Sequence, residues 1–136
     1  MNDAQAGNGR RDLAAIPRVL VVDDDAYIRD VVAQLLDGEG YSVEEAANGA
    51  EALRIVTAPG RRPDLILLDL MMPVMDGWEF ARRLHEEHPT IGIPIIVLSA
   101  ARLPSERLHV PGSRAVLPKP FDLDDLLDHV KRLAAA

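Results

Sequence analysis

Four apolar residues at positions 19–22 stop abruptly at Asp23-Asp24-Asp25. The pattern recurs: residues 65–68 stop at Asp69, and a third run within residues 93–98 stops at Ser99. A strand that is apolar at every position must be covered on both faces. That happens almost only in parallel sheets, whose crossover helices pack on either side. The intervening segments carry the matching period. Ile28, Val31, Val32, Leu35 and Leu36 recur at helical spacing, with Asp25 placed as N-cap and Gly38 or Gly40 as stop. Residues 41–46 read as a weaker strand, and Ala52, Leu53 and Val56 as a short helix ending before Pro59-Gly60. Residues 71–77 read as a loop and 78–88 as a helix that turns Trp78, Ala81 and Leu84, or Phe80 and Leu84, inward.

Beyond Ser99, Pro104, Pro111 and Gly112 leave space for a turn or two of helix at most. Residues 115–117 form a short strand ahead of Pro118-Lys119-Pro120. The last helix starts at the N-cap Asp122, with Phe121 stapled to Leu126 and a stripe of Leu123, Leu126, Leu127, Val130 and Ala134. Strands alternating with helices give an α/β fold, a doubly wound five-stranded parallel sheet with a shortened or irregular fourth helix. Residues 1–16 are polar and aperiodic and read as a flexible leader, leaving one domain over 17–134.

In such sheets ligands bind beyond the carboxyl ends of the strands, where the strand order reverses. Asp23, Asp24, Asp69, Ser99 and Lys119 all fall at that edge. Three carboxylates gathered there repel one another, and a divalent cation relieves the repulsion. Oxygen ligands with water in the remaining positions suit Mg²⁺ better than zinc. A carboxylate beside a metal, a lysine and a hydroxyl can accept a phosphoryl group.

Other chemistries find little support. The chain has no cysteine and a net charge of −7, which offers no basic footprint for nucleic acid. No apolar run approaches the roughly 20 residues that span a bilayer, so a cytoplasmic chain without nucleic-acid or membrane partners is expected. His85 and His88 lack a third ligand and sit at a helix end, where they favour the dipole rather than zinc. The methionines 71, 72 and 75 read as gap-filling apolar contacts.

Several spaced motifs together resemble the receiver domain of two-component response regulators. They are Val-Val-Asp23-Asp24, Asp69-Leu-Met-Met-Pro73-Val-Met-Asp76-Gly77, Leu-Ser99-Ala100 and Lys119-Pro120-Phe121. The resemblance implies the flavodoxin-like strand order 2-1-3-4-5. It implies Asp69 as phosphoacceptor and Mg²⁺ held by Asp24 directly, Asp23 through water, Asp69, and the backbone carbonyl of Met71. Ser99 and Lys119 would hold the phosphoryl oxygens, the latter aimed by a cis bond to Pro120. The phosphoryl donor would be a histidine kinase or histidine phosphotransfer protein. The output would pass to a downstream protein, and a second copy of the chain is among the partners the family allows. Such a chain is not an enzyme on a separate substrate, although it catalyses its own phosphoryl transfer and slow self-dephosphorylation. Met71 and Ala101 occupy the two positions that tune that loss in resembling proteins.

Two features depart from the pattern. Val116 stands where relatives often carry the Tyr or Phe that swings inward on phosphorylation, and the fourth helix is broken. These favour an alternative, a pseudo-receiver acting as a constitutive protein-binding module. A phosphatase with an aspartyl nucleophile is a third reading, but such enzymes place that residue on the first strand and need longer loops. Whether the chain stands alone or belongs to a longer protein is open at this level.

Overall fold

The computed structural model describes residues 16–100 and 103–134. The expected leader, apart from Ile16, and Ala101 lie outside them. Five parallel strands form one sheet: β1 (Arg18–Val22), β2 (Ser42–Ala46), β3 (Leu65–Asp69), β4 (Ile95–Ala100) and β5 (Ser113–Lys119), in the order β2-β1-β3-β4-β5. Four helices connect or follow them: α1 (Ala26–Gly38), α2 (Gly49–Thr57), α3 (Gly77–Glu87) and α4 (Leu123–Leu133). Between β4 and β5 the described chain forms only a 3₁₀ turn, Ser105–Leu108. The prolines there permit no full helix. Strand β5 is longer than the sequence pattern indicates, because an edge strand tolerates Pro118 without losing a ladder on its inner side.

Side-chain alternation along the central strands divides the core into two layers. Val19, Val21, Leu65 and Leu67 face Val32, Leu36, Leu126 and Val130, the inward stripes of α1 and α4. Leu20, Val22, Ile66 and Leu68 face Ala52, Val56, Phe80 and Leu84 on α2 and α3. The expected α4 stripe is narrower than read: Leu123, at the first turn, stays 39% exposed. On α3 the inward residues are Phe80, Ala81 and Leu84, and Trp78 is only partly covered.

Helix starts are fixed by carboxylates and amides. Asp25 accepts from the N–H groups of Tyr27 and Ile28, and Asp122 from those of Asp124 and Asp125. Asn48 and Asp76 do the same for α2 and α3, accepting from Glu51 and Glu79 at 2.9 and 2.8 Å. Gly40, with φ 94°, turns the chain out of α1.

Two helix-opening glycines hold the loop after β3. The N–H of Gly49 donates to the carbonyl of Met75, and that of Gly77 to the carbonyl of Leu70. A Cβ on Gly77 would lie 2.5 Å from the Asp69 carbonyl oxygen and 2.8 Å from the Leu70 Cα. Both obstacles are backbone, so the loop or the helix would have to move. Gly77→Ala is therefore expected to cost about 1–3 kcal/mol, as overpacking does. Gly38→Ala, at an α1 position with open space around it, should be neutral or stabilising by up to about 1 kcal/mol. Urea unfolding of both variants checks the contrast.

Candidate functional site

Strand register assembles the site. Val22 pairs with Leu68, so the next residues, Asp23 and Asp69, leave the sheet side by side. Asp69 pairs with Leu98, which puts Ser99 one residue further along β4, and Ala100 pairs with Lys119. Neighbouring strands are about 4.8 Å apart, within reach of one another's side chains. The strand order reverses between β1 and β3, so the acids stand at the switch point.

The three consecutive aspartates divide their roles. Asp23 is fully buried; one carboxylate oxygen accepts from the N–H of Asp25 at 2.9 Å, and the other takes the Lys119 ammonium at 2.7 Å. Asp24 is exposed, and Asp25 caps α1. Arg29 donates to the main-chain oxygen of Asp23 at 2.7 Å, which fixes the turn from β1 into α1. Asp69 is 5% exposed, with Lys119 Nζ 3.5 Å from its Oδ1. The peptide bond between Lys119 and Pro120 is cis, as the sequence resemblance implies.

Asp23, Asp24 and Asp69 can bring one carboxylate oxygen each within 4.8 Å of the others, and no other such His or carboxylate triad occurs among the described residues. Burial, reinforced by the Asp23 charge, pushes Asp69 up to about 6, against the pull of Lys119 and a hydrogen bond from the Met71 backbone. Burial also opposes the charge of Lys119. The hydrogen bond and charge of Asp23, with the charge of Asp69, outweigh it and hold the lysine above its ordinary value. An exposed carboxylate beside two buried ones, short of positive charge, is a donor set that fits a hard divalent cation.

Ser99 is buried at the same edge. Val116 pairs with Val97 and packs, half-buried, on the layer that α2 and α3 cover. The methionines separate: Met72 is buried and Met75 packs on the core, but Met71 is 58% exposed and does not fill a gap. It lines, with Asp24, Pro73 and Asp76, an open groove of about 480 Å³ that also reaches Trp78 and Arg107. Sequence reasoning missed Asp76 and Asn48 as caps, although each has a glutamate three residues on. It also missed the partnership of Trp78 with Arg107, for which no sequence signal exists. In the same loop Val74 adopts φ 70°, a strained value for a β-branched residue, and is 85% exposed.

Residues 19–131 match the response regulator receiver domain family. The response regulator MprA of Mycobacterium sp. (strain KMS) is 42% identical over 118 residues, which cover 85% of this chain and 50% of MprA. The chain spans about half the length of the curated relatives it matches. The receiver domain of a Francisella response regulator superposes with a TM-score of 0.78 at 32% identity, covering 87% of this chain and 96% of that one. The response regulator TrrA from Thermotoga maritima, solved in complex with Mg²⁺-BeF, gives 0.73 at 33% identity, covering 87% and 99%. Among the described residues no helix is long and apolar enough to cross a membrane.

The acid site carries a stability signature. The native state holds the Asp69 proton more tightly than the unfolded chain does, because about 6 lies above the ordinary aspartate value of 3.8. As pH rises from about 4 through 6 the unfolded chain ionises first, so folding loses stability, on the order of 3 kcal/mol by linkage. In buffer with a chelator, Asp69→Asn is therefore expected to be more stable than wild type at pH 8, with the gap closing near pH 4. Urea midpoints at the two pH values measure it.

Proposed function

Because the chain belongs to the response regulator receiver domain family, we propose that it accepts a phosphoryl group on Asp69 and relays the change by protein–protein contact. The observation that carries this reading is the meeting of a buried Asp69 with the exposed Asp24 and the Lys119 ammonium at one switch point. The donor is a histidine kinase or histidine phosphotransfer protein in the cytoplasm. A carboxylate oxygen of Asp69 forms the new P–O bond, the P–N bond of the phosphohistidine breaks, and the imidazole takes up a proton. Asp24, Asp23, Asp69 and the Met71 carbonyl would hold Mg²⁺. When bound, the ion neutralises charge on the transferring group.

The chain's own residues do the rest. Lys119, 3.5 Å from Asp69, balances the acids before transfer and can follow a phosphoryl oxygen afterwards. Ser99 can supply a hydroxyl from the adjacent strand. Beside Lys119, an apolar groove of about 500 Å³ runs along α1 past Ile28, Val31 and Phe121 to the exposed Tyr27. It offers the donor protein a surface next to the acceptor.

A second reading, the pseudo-receiver with constitutive binding, draws support from Val116 and from the 3₁₀ turn that replaces a fourth helix. The two readings diverge in one experiment. Incubation with acetyl phosphate and Mg²⁺ is expected to add one phosphoryl group by intact mass, and Asp69→Asn to block it; an unlabelled wild type favours the pseudo-receiver. Millimolar Mg²⁺ should also raise the melting temperature of wild type and leave that of Asp24→Ala unchanged.

The lifetime of the acyl phosphate follows from the groove. Hydrolysis needs a water held in line with phosphorus, and Met71 has no group to hold one. Ala101, the second tuning position, lies outside the described residues and offers no polar group either. Slow self-dephosphorylation is expected. The double change Met71→Asn with Ala101→Glu should speed loss of phosphate several-fold while leaving its acquisition within about twofold, as radiolabel decay would read.

A further inference from the structure

Arg107 is held twice by the chain's one tryptophan. Trp78 Nε1 donates to the Arg107 carbonyl at 2.6 Å, and the guanidinium carbon lies 4.4 Å above the indole centroid. The first contact pins the backbone of the 3₁₀ turn to the start of α3, and the second fixes the charged head group. Among the described residues no carboxylate lies within 4.0 Å of Arg107; Arg54, Arg62 and Arg114 share that lack, but only Arg107 is stacked on a ring and borders the groove beside Asp24. A guanidinium stacked on a ring keeps its N–H donors at its edge for an anion. Arg107 also borders the groove that Asp24 and Met71 line, which leads to the acids.

We propose that Arg107 is a positioning residue for the phosphoryl donor: Trp78 fixes its uncompensated charge at the groove, where it draws in the donor's anionic oxygens and opposes the incoming cation. The inference rests on Asp69 as the phosphoacceptor. With acetyl phosphate, the donor's P–O bond breaks, acetate leaves, and the phosphorus bonds to a carboxylate oxygen of Asp69. Arg107 takes no proton and forms no bond. Its charge raises the local concentration of a dianion more than that of a monoanion.

The test compares wild type, Arg107→Ala and Arg107→Lys in low-salt buffer. For Arg107→Ala, phosphorylation by acetyl phosphate, a dianion, should slow by about three- to tenfold, the scale of one partly screened charge. Phosphorylation by phosphoramidate, a monoanion near pH 7, should slow by about twofold or less. Mg²⁺ should bind the variant about two- to fivefold more tightly by calorimetry, since a nearby positive charge is gone. Arg107→Lys should recover most of the acetyl phosphate rate, and high salt should shrink the difference. A merely structural clamp would instead weaken Mg²⁺ binding and slow both donors alike, and that result overturns the inference. So does an Arg107→Ala variant with unchanged rates. A wild type that takes no label from either donor overturns the phosphoacceptor reading and this inference with it.

Discussion

Two carboxylates that leave the sheet side by side, Asp23 and Asp69, need a positive charge between them, and Lys119 supplies it from the edge strand β5. The rest of the site is organised around that requirement. Lys119 reaches Asp23 at 2.7 Å only because the register of β4 and β5 sets Lys119 beside Ala100. Burial of Asp69, reinforced by the Asp23 charge, outweighs the pull of that one cation and pushes Asp69 up to about 6. The site is thus short of positive charge by construction, and that shortage suits it to a divalent ion.

The loop from Leu70 to Asp76 is fixed with unusual closeness. Gly77 lets α3 start against the backbone of Asp69 and Leu70, and Gly49 lets α2 start against Met75. Asp76 caps α3 from the same loop. These contacts determine where Met71 stands, and Met71 borders the groove beside Asp24. The strained φ of Val74 belongs to the same tightly bound segment.

The β4–β5 connection is where this chain differs most from the pattern its motifs resemble. Among the described residues the connection holds a 3₁₀ turn and no full helix, and Val116 on β5 is a half-buried, core-packed side chain. The turn is anchored instead by Trp78, which binds both the backbone and the head group of Arg107. The connection is therefore tied to α3 and to the rim of the groove beside Asp24.

The sequence alone determined the layers and the edge. Apolar runs that end in Asp23, Asp69 and Ser99 need cover on both faces, and only parallel strands under helices provide it; hence the sheet and the gathering of reactive groups at one end. The caps at Asp76 and Asn48 were missed in the sequence although their signal is local, a glutamate three residues on in each case. Tertiary structure alone decided which aspartate is buried, which exposed and which caps a helix, because three adjacent acids differ only in what packs over them. It also decided that Met71 is exposed while Met72 is buried, and that Leu123 escapes the core. The pairing of Trp78 with Arg107, 29 residues apart, is likewise a tertiary fact. Periodicity reports which face of an element is apolar; it carries no information about which distant side chain arrives there.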